Sequence, residues 1–138
     1  MSDGVKVALI TGAGSGIGRR TALLLWAAGW SVALSGRREH ALRETLQAGA
    51  VPAERALVAP CDVSDAPAVD ALFAQLEQTF GRLDLLFNNA GINAPAVPLE
   101  DLALSDWQRV LDVNLTGVFL CTRAAFRLMK RQRPRGGR

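Results

Sequence analysis

At 138 residues, 49% hydrophobic and 21% charged, the chain has the length of one domain and is apolar enough to bury a core. No run of about 18 or more apolar residues reads as a membrane-spanning helix, and the opening M-S-D-G-V-K lacks the basic-then-apolar layout of a secretory signal. The net charge of +3 belongs to the tail: residues 127–138 hold six basic residues and no acid, and the remainder carries −3. Such a run either attracts nucleic-acid phosphate or is a helix end with cations near its C-terminus. The second reading is adopted, so neither nucleic acid nor membrane is expected as a partner. Cys61 and Cys121 lie far apart in apolar patterns and read as free buried thiols of a reducing cytoplasm, with a disulfide as the lesser alternative.

Lys6 to Thr11 reads as the first strand, with the continuous apolar character of a parallel strand covered on both faces. Gly12 to Gly16 forms a turn, and Ile17 to Ala28 a helix stopped by Gly29. Ser31 to Ser35 is the second strand, Gly36 to Glu39 a loop, and His40 to Ala48 a short helix closed by Gly49 and Pro52. Ala56 to Cys61 is the third strand; Asp62 to Asp65 is a loop with a helix cap at Ser64 or Asp65. Pro67 to Phe80 is a helix whose Val69, Leu72, Phe73, Leu76 and Phe80 share one face. Leu83 to Asn88 is the fourth strand, followed by N-N-A-G and an irregular loop. Ser105 caps a long helix, Asp106 to about Arg131, and R-P-R-G-G-R ends the chain as a breaker cluster. Strands alternating with helices predict one α/β domain over residues 1–138, a Rossmann-type doubly wound parallel sheet.

The chemistry starts at the turn. Gly12, Gly16 and Gly18 lie between an apolar strand and a helix, where backbone can approach an anion and a helix start presents free N–H groups. Gly18 is followed by Arg19 and Arg20, not by the Lys-Ser/Thr of a triphosphate loop, so a dinucleotide is favoured. Dinucleotide folds place an acid on the adenosine ribose at the end of the second strand. This chain has Gly36, Arg37 and Arg38 there. Guanidinium groups suit a 2′-phosphate, which predicts NADP(H) as the preferred cofactor and NAD(H) as the other candidate; the bland alternative is a solvent-facing loop.

Four motifs then occur together: T-G-A-G-S-G-I-G (Thr11–Gly18), C-D-V (Cys61–Val63), N-N-A-G (Asn88–Gly91) and V-N-L (Val113–Leu115). In order and spacing they resemble the short-chain dehydrogenase/reductase family over essentially the whole chain. The resemblance implies cofactor contacts from Thr11, Gly12, Gly14, Ser15, Gly16, Ile17 and Gly18 in the turn. It implies Asp62 on the adenine with Val63 beside the ring, although Asp62 also suits a helix cap. It implies that Asn89 braces the central strands, that Thr11 ties the turn to this loop, and that Ala90 and Gly91 allow close approach of the nicotinamide. Asn114 matches the family's catalytic asparagine. An asparagine inside an apolar helix is either satisfied locally as a kink or holds an ordered water in a proton relay, and the resemblance implies the second. No metal set is assigned.

The family's chemistry also needs a serine and a tyrosine followed four residues later by a lysine. This chain has no tyrosine, and its lysines, Lys6 and Lys130, are misplaced for that part. The expectation is a front half, truncated after sheet order 3-2-1-4 and inactive alone, with an exposed apolar edge at Leu83, Leu85, Leu86 and Phe87. Its function is expected to be hydride transfer between nicotinamide and a small carbonyl or alcohol substrate, in a cytoplasmic homo-oligomer paired through Ser105–Arg131. The alternatives are a non-catalytic NADP-binding module and, less favoured, an S-adenosylmethionine-binding methyltransferase fold.

Overall fold

The structure, a computed structural model, describes residues 4–138. Four parallel strands, β1 (Val7–Ile10), β2 (Ser31–Gly36), β3 (Ala56–Pro60) and β4 (Leu85–Phe87), form one sheet, as the alternating pattern predicts, in the order β3-β2-β1-β4 that the family resemblance implies. The register pairs Val7 with Ser31, Val32 with Ala56 and Ala8 with Leu85. Helices α1 (Gly16–Ala27), α2 (Glu39–Gly49), α3 (Ala66–Phe80), α4 (Leu104–Leu111) and α5 (Gly117–Arg131) connect or flank the strands.

Side chains alternate across a strand, so neighbours in sequence serve opposite cores. Ile10, Val32 and Leu34 pack with Trp26 of α1 and Leu42 of α2. Leu9, Ala33 and Ala59 pack on the other face with Leu72 and Leu76 of α3 and Leu120, Cys121 and Leu128 of α5. Both faces are covered, which is why V-A-L-I is apolar at every position rather than at every second one. Each fully buried Leu or Ile contributes about 1.5–3 kcal/mol relative to exposure. Cys61 and Cys121 are both free thiols in the second of these cores. Glycines end α1 and α3 as read: Gly29 and Gly81 take φ of +91° and +73°. Asp65 stands at the cap position of α3, but its side chain makes no cap bond.

Two local expectations are corrected. The long helix is not continuous. It begins at Leu104, with Ala103 rather than Ser105 at the cap position, and is interrupted by a π-helical turn, Asp112–Thr116, in which the Gly117 N–H donates to the Asp112 carbonyl. Close packing accompanies the break: a Cβ on Gly117 would stand 2.6 Å from Val63 Cγ2. The β4 edge is also less open than expected. Leu83 is fully buried, and its N–H and C=O are both bonded by the Gln132 side-chain amide, at 2.8 and 2.7 Å. Further along, Arg138 accepts from the Leu86 N–H (2.7 Å) and donates to the Asp84 carbonyl (2.9 Å). The glycine-rich tail thus returns to the edge and pairs with it. Among the described residues no helix is long and apolar enough to cross a membrane.

Candidate functional site

The C-terminal ends of β1, β2 and β3, with the loop after β4, open onto one cleft of about 330 Å³. That is where ligands sit in open parallel sheets. Twelve of the sequence-predicted residues line it: Gly12, Gly14, Ser15, Gly16, Ile17, Arg37, Arg38, Asp62, Val63, Asn89, Ala90 and Gly91. Thr11 and Gly18 lie beneath it as supports rather than walls. Gly36, Ala41, Leu42, Cys61, Ile92 and Val113 also line it and had been given no role. Gly36 carried a signal as the small residue where an acid is usual, and Cys61 and Val113 stood inside the C-D-V and V-N-L motifs; Ala41, Leu42 and Ile92 carried none.

The glycines divide the work. Gly16 has φ of +53°, and a side chain there would point into open space. Only its backbone conformation requires glycine. Gly18 is the reverse case. A Cβ there would collide with the Gly12 carbonyl oxygen and stand 2.7 Å from Asn89 Nδ2. Its missing side chain lets α1 begin directly against the turn. The N–H groups at the start of α1 lack helical acceptors and lie beside Ser15 and Gly16 at the cleft wall.

One hydroxyl joins the turn to N-N-A-G. Thr11 Oγ1 accepts from the backbone N–H of Asn89 and of Ala90, both at 3.0 Å, and faces the Phe87 carbonyl at 3.4 Å. Asn89 Nδ2 donates to the Gly12 carbonyl at 3.1 Å. β1 and β4 are therefore locked together immediately below the cleft. Arg19 reaches from α1 to the Gly14 carbonyl (2.7 Å) and to Thr45 of α2 (3.0 Å).

At the far wall, Asp62 accepts from the Ser64 hydroxyl (2.7 Å) and the Ser64 N–H (3.0 Å). The hydroxyl is the larger cause holding its carboxyl below the usual range, and the Arg37 charge adds to it. Asp62 is thus an ionised acceptor at neutral pH. Arg37 and Arg38 are both exposed, and among the described residues neither is in an ion pair.

Asn114 sits on the π-helical turn, outside the cleft wall. Its amide makes a reciprocal pair with one residue: Oδ1 accepts from the Ile92 N–H and Nδ2 donates to the Ile92 carbonyl, both at 2.8 Å. The side chain is therefore satisfied, but by the loop after N-N-A-G rather than within its own helix. Asn88 is held similarly, with Nδ2 donating to Thr122 of α5 at 3.1 Å.

The family of short chain dehydrogenases matches residues 6–138. The chain belongs to that family. It is 40% identical over 129 residues to a 3-oxoacyl-[acyl-carrier-protein] reductase of Synechocystis, covering 93% of this chain and 52% of the relative. Among solved structures, levodione reductase superposes with a TM-score of 0.89 at 36% identity, covering 95% of this chain and 51% of that one. A 3-ketoacyl-(acyl-carrier-protein) reductase of Brucella melitensis, complexed with NADH, superposes with a TM-score of 0.85 at 34% identity, over 91% and 50% of the two chains. The chain spans about half the length of the relatives it matches.

Proposed function

We propose that this chain is the dinucleotide-binding half of an NAD(P)-dependent oxidoreductase acting on a small carbonyl or alcohol, with NADP(H) preferred. The observation that carries the reading is that one cleft is walled by the glycine turn, Arg37, Asp62 and the N-N-A-G loop. These segments offer, in spatial order, backbone donors for a diphosphate, a cation and an ionised carboxylate for the adenosine end, and small residues for a flat ring. The open space at Gly16 fits a ligand that lies on the turn itself. When bound, the nicotinamide supplies or accepts the hydride.

The chain's own residues orient that exchange. Thr11 and Asn89 hold the N-N-A-G loop against the turn. Asn114 fixes Ile92, and with it the wall beyond Gly91. Neither a tyrosine nor a lysine is placed to move the proton: the chain has no tyrosine, and Lys6 and Lys130 lie outside the cleft wall. We therefore read it as binding without turnover alone, the hydride-transfer activity belonging to a longer protein. The same deficit favours a second reading, a module that carries NADP without chemistry.

The Brucella relative's complex with NADH supports a nicotinamide dinucleotide; the preference for a 2′-phosphate rests on Gly36, Arg37 and Arg38. Fluorescence titration with NADPH and NADH tests it. Arg37→Ala should weaken NADPH about 10-fold, as expected for one lost charge-assisted contact, and leave NADH unchanged. Equal affinity of the wild type for both cofactors would sink the preference; turnover of a carbonyl substrate by the 138-residue chain would sink the half-enzyme reading. We assign self-association to the exposed stripe Leu115, Phe119 and Phe126 of the π-helical turn and α5, together with Trp107 of α4. Sedimentation of the same samples reads it, and a monomer at high concentration would refute it.

A further inference from the structure

Arg19 and Thr45 lie on neighbouring helices and converge on the carbonyls of the glycine turn. Thr45 is fully buried on α2, and its hydroxyl stands 2.8 Å from the Ala13 carbonyl and 3.2 Å from the Ala41 carbonyl, while accepting from Arg19 Nε at 3.0 Å. Arg19 Nη2 donates to the Gly14 carbonyl at 2.7 Å and reaches the Ala41 carbonyl and Glu44 at 3.4 and 3.2 Å. The helix and turn touch directly here: a Cβ on Gly14 would stand 2.9 Å from Ala41 Cβ. The glycine at position 14 therefore admits α2, not only a ligand.

The consequence follows from peptide geometry. In a trans peptide the carbonyl of one residue and the N–H of the next point in opposite directions. Holding the Ala13 carbonyl on Thr45 of α2, and the Gly14 carbonyl on the Arg19 side chain that spans α1 and α2, aims the N–H groups of Gly14 and Ser15 away from these partners. It also keeps two carbonyl oxygens from facing an anion. α2 begins immediately after Arg37 and Arg38, so the same brace sets the distance between the turn and the arginine loop. Arg19 already spends its Nε and Nη2 donors on two carbonyls, a hydroxyl and Glu44, and so serves as a fastener.

We propose that Arg19 and Thr45 are positioning residues for the sugar–phosphate portion of the dinucleotide, preorganising the turn and coupling it to Arg37–Arg38. This rests on the proposed cofactor reading. The test is NADPH affinity of the intact chain, measured beside the melting temperature without cofactor. Thr45→Val keeps the shape and removes the hydroxyl; Thr45→Ser restores it; Arg19→Lys keeps the charge and removes the fork. Thr45→Val and Arg19→Lys should each weaken NADPH about 10-fold, and the pair together no more than about 20-fold, because both act on one element. Thr45→Ser should bind within about 2-fold of wild type. Val69→Ala in α3 supplies the control, losing stability without losing affinity.

Wild-type affinity in both Thr45→Val and Arg19→Lys overturns the proposal. So does an equal loss of affinity in Val69→Ala, which would make the effect one of stability alone. Should Thr45→Val fail to fold, the surface-reaching Arg19→Lys decides the matter by itself. A wild type that does not bind NADPH overturns the cofactor reading itself, and this inference with it.

Discussion

The two sides of the sheet are finished to different degrees. Around the glycine turn, β1 and β2 are buried along almost their whole length, and Thr11, Asn89, Arg19 and Thr45 bind the turn to three different elements. On the β4 side, the three strand residues are only half-buried, and the edge is held by one glutamine amide and the last residue of the chain. The adjoining α4–α5 surface leaves Trp107, Leu115, Phe119 and Phe126 in solvent. Few soluble surfaces carry such a stripe without a partner. The contrast is between a turn tied to three elements and an edge tied by few groups beside an exposed apolar stripe.

The largest effect is expected from the turn. Gly18→Ala places a methyl group on the Gly12 backbone carbonyl and against the Asn89 side-chain amide bonded to it, so relief requires moving α1 or the turn. NADPH binding should fall by about 100-fold or more, with a stability loss of about 3 kcal/mol, in the range of overpacked cores. Gly16→Ala meets no protein atom, so its stability loss is that of the left-handed backbone alone, about 1–2 kcal/mol, while its methyl enters the space assigned to the ligand. Paired titrations and urea melts of the two variants check this. If Gly16→Ala proved as destabilising in urea as Gly18→Ala, close packing would not be what the turn depends on.

On the other side the sharpest change is Gln132→Ala. It strips partners from the buried N–H and C=O of Leu83 and from the Gly136 carbonyl. Two buried unsatisfied backbone groups predict a loss of about 2–4 kcal/mol. Chemical denaturation reads the loss, and NADPH affinity measured well below the melting point should hold. A parallel drop in affinity would mean that the two sides are not separate.

This contrast also marks what was legible in the sequence. The strands, the helices and the glycine turn followed from period and spacing, because V-A-L-I and the glycines act through their immediate neighbours; the sheet order and the rest of the cleft followed from the family resemblance. Gln132 was not legible: a polar residue after a helix reads as solvated, and its partner Leu83 lies 49 positions away. Thr45 was hidden in the same way inside an ordinary amphipathic helix. The π-helical turn had one signal, Asn114 in an apolar run, but two explanations fitted it. The choice depended on Ile92, a loop backbone that no periodicity places.

The smallest effect concerns the thiols, which both belong to the core under α3 and α5, with Cys61 also reaching the cleft wall. Burial pushes Cys61 up to about 11, with Asp62 and Asp65 adding to it, and pushes Cys121 up to about 12, with Cys61 adding to it. The unfolded chain releases these protons near the ordinary value of 9.0, whereas the fold retains them. Between pH 9 and about 11 the folded state therefore binds more protons, and stability falls as pH rises. At pH 10 the loss is on the order of 1 kcal/mol per thiol relative to pH 8, where it is nearly absent. The chain has no tyrosine to obscure this range. Urea melts from pH 8 to 10 should show the decline in wild type and a flatter profile in the Cys61→Ala/Cys121→Ala double variant. Hydrogen exchange at pH 10 should then find α3 and α5 opening before the glycine turn, since no cysteine lies in the α1–α2 core. An identical pH slope in the double variant would show that the alkaline weakness lies elsewhere, and that the two cores do not differ in this way.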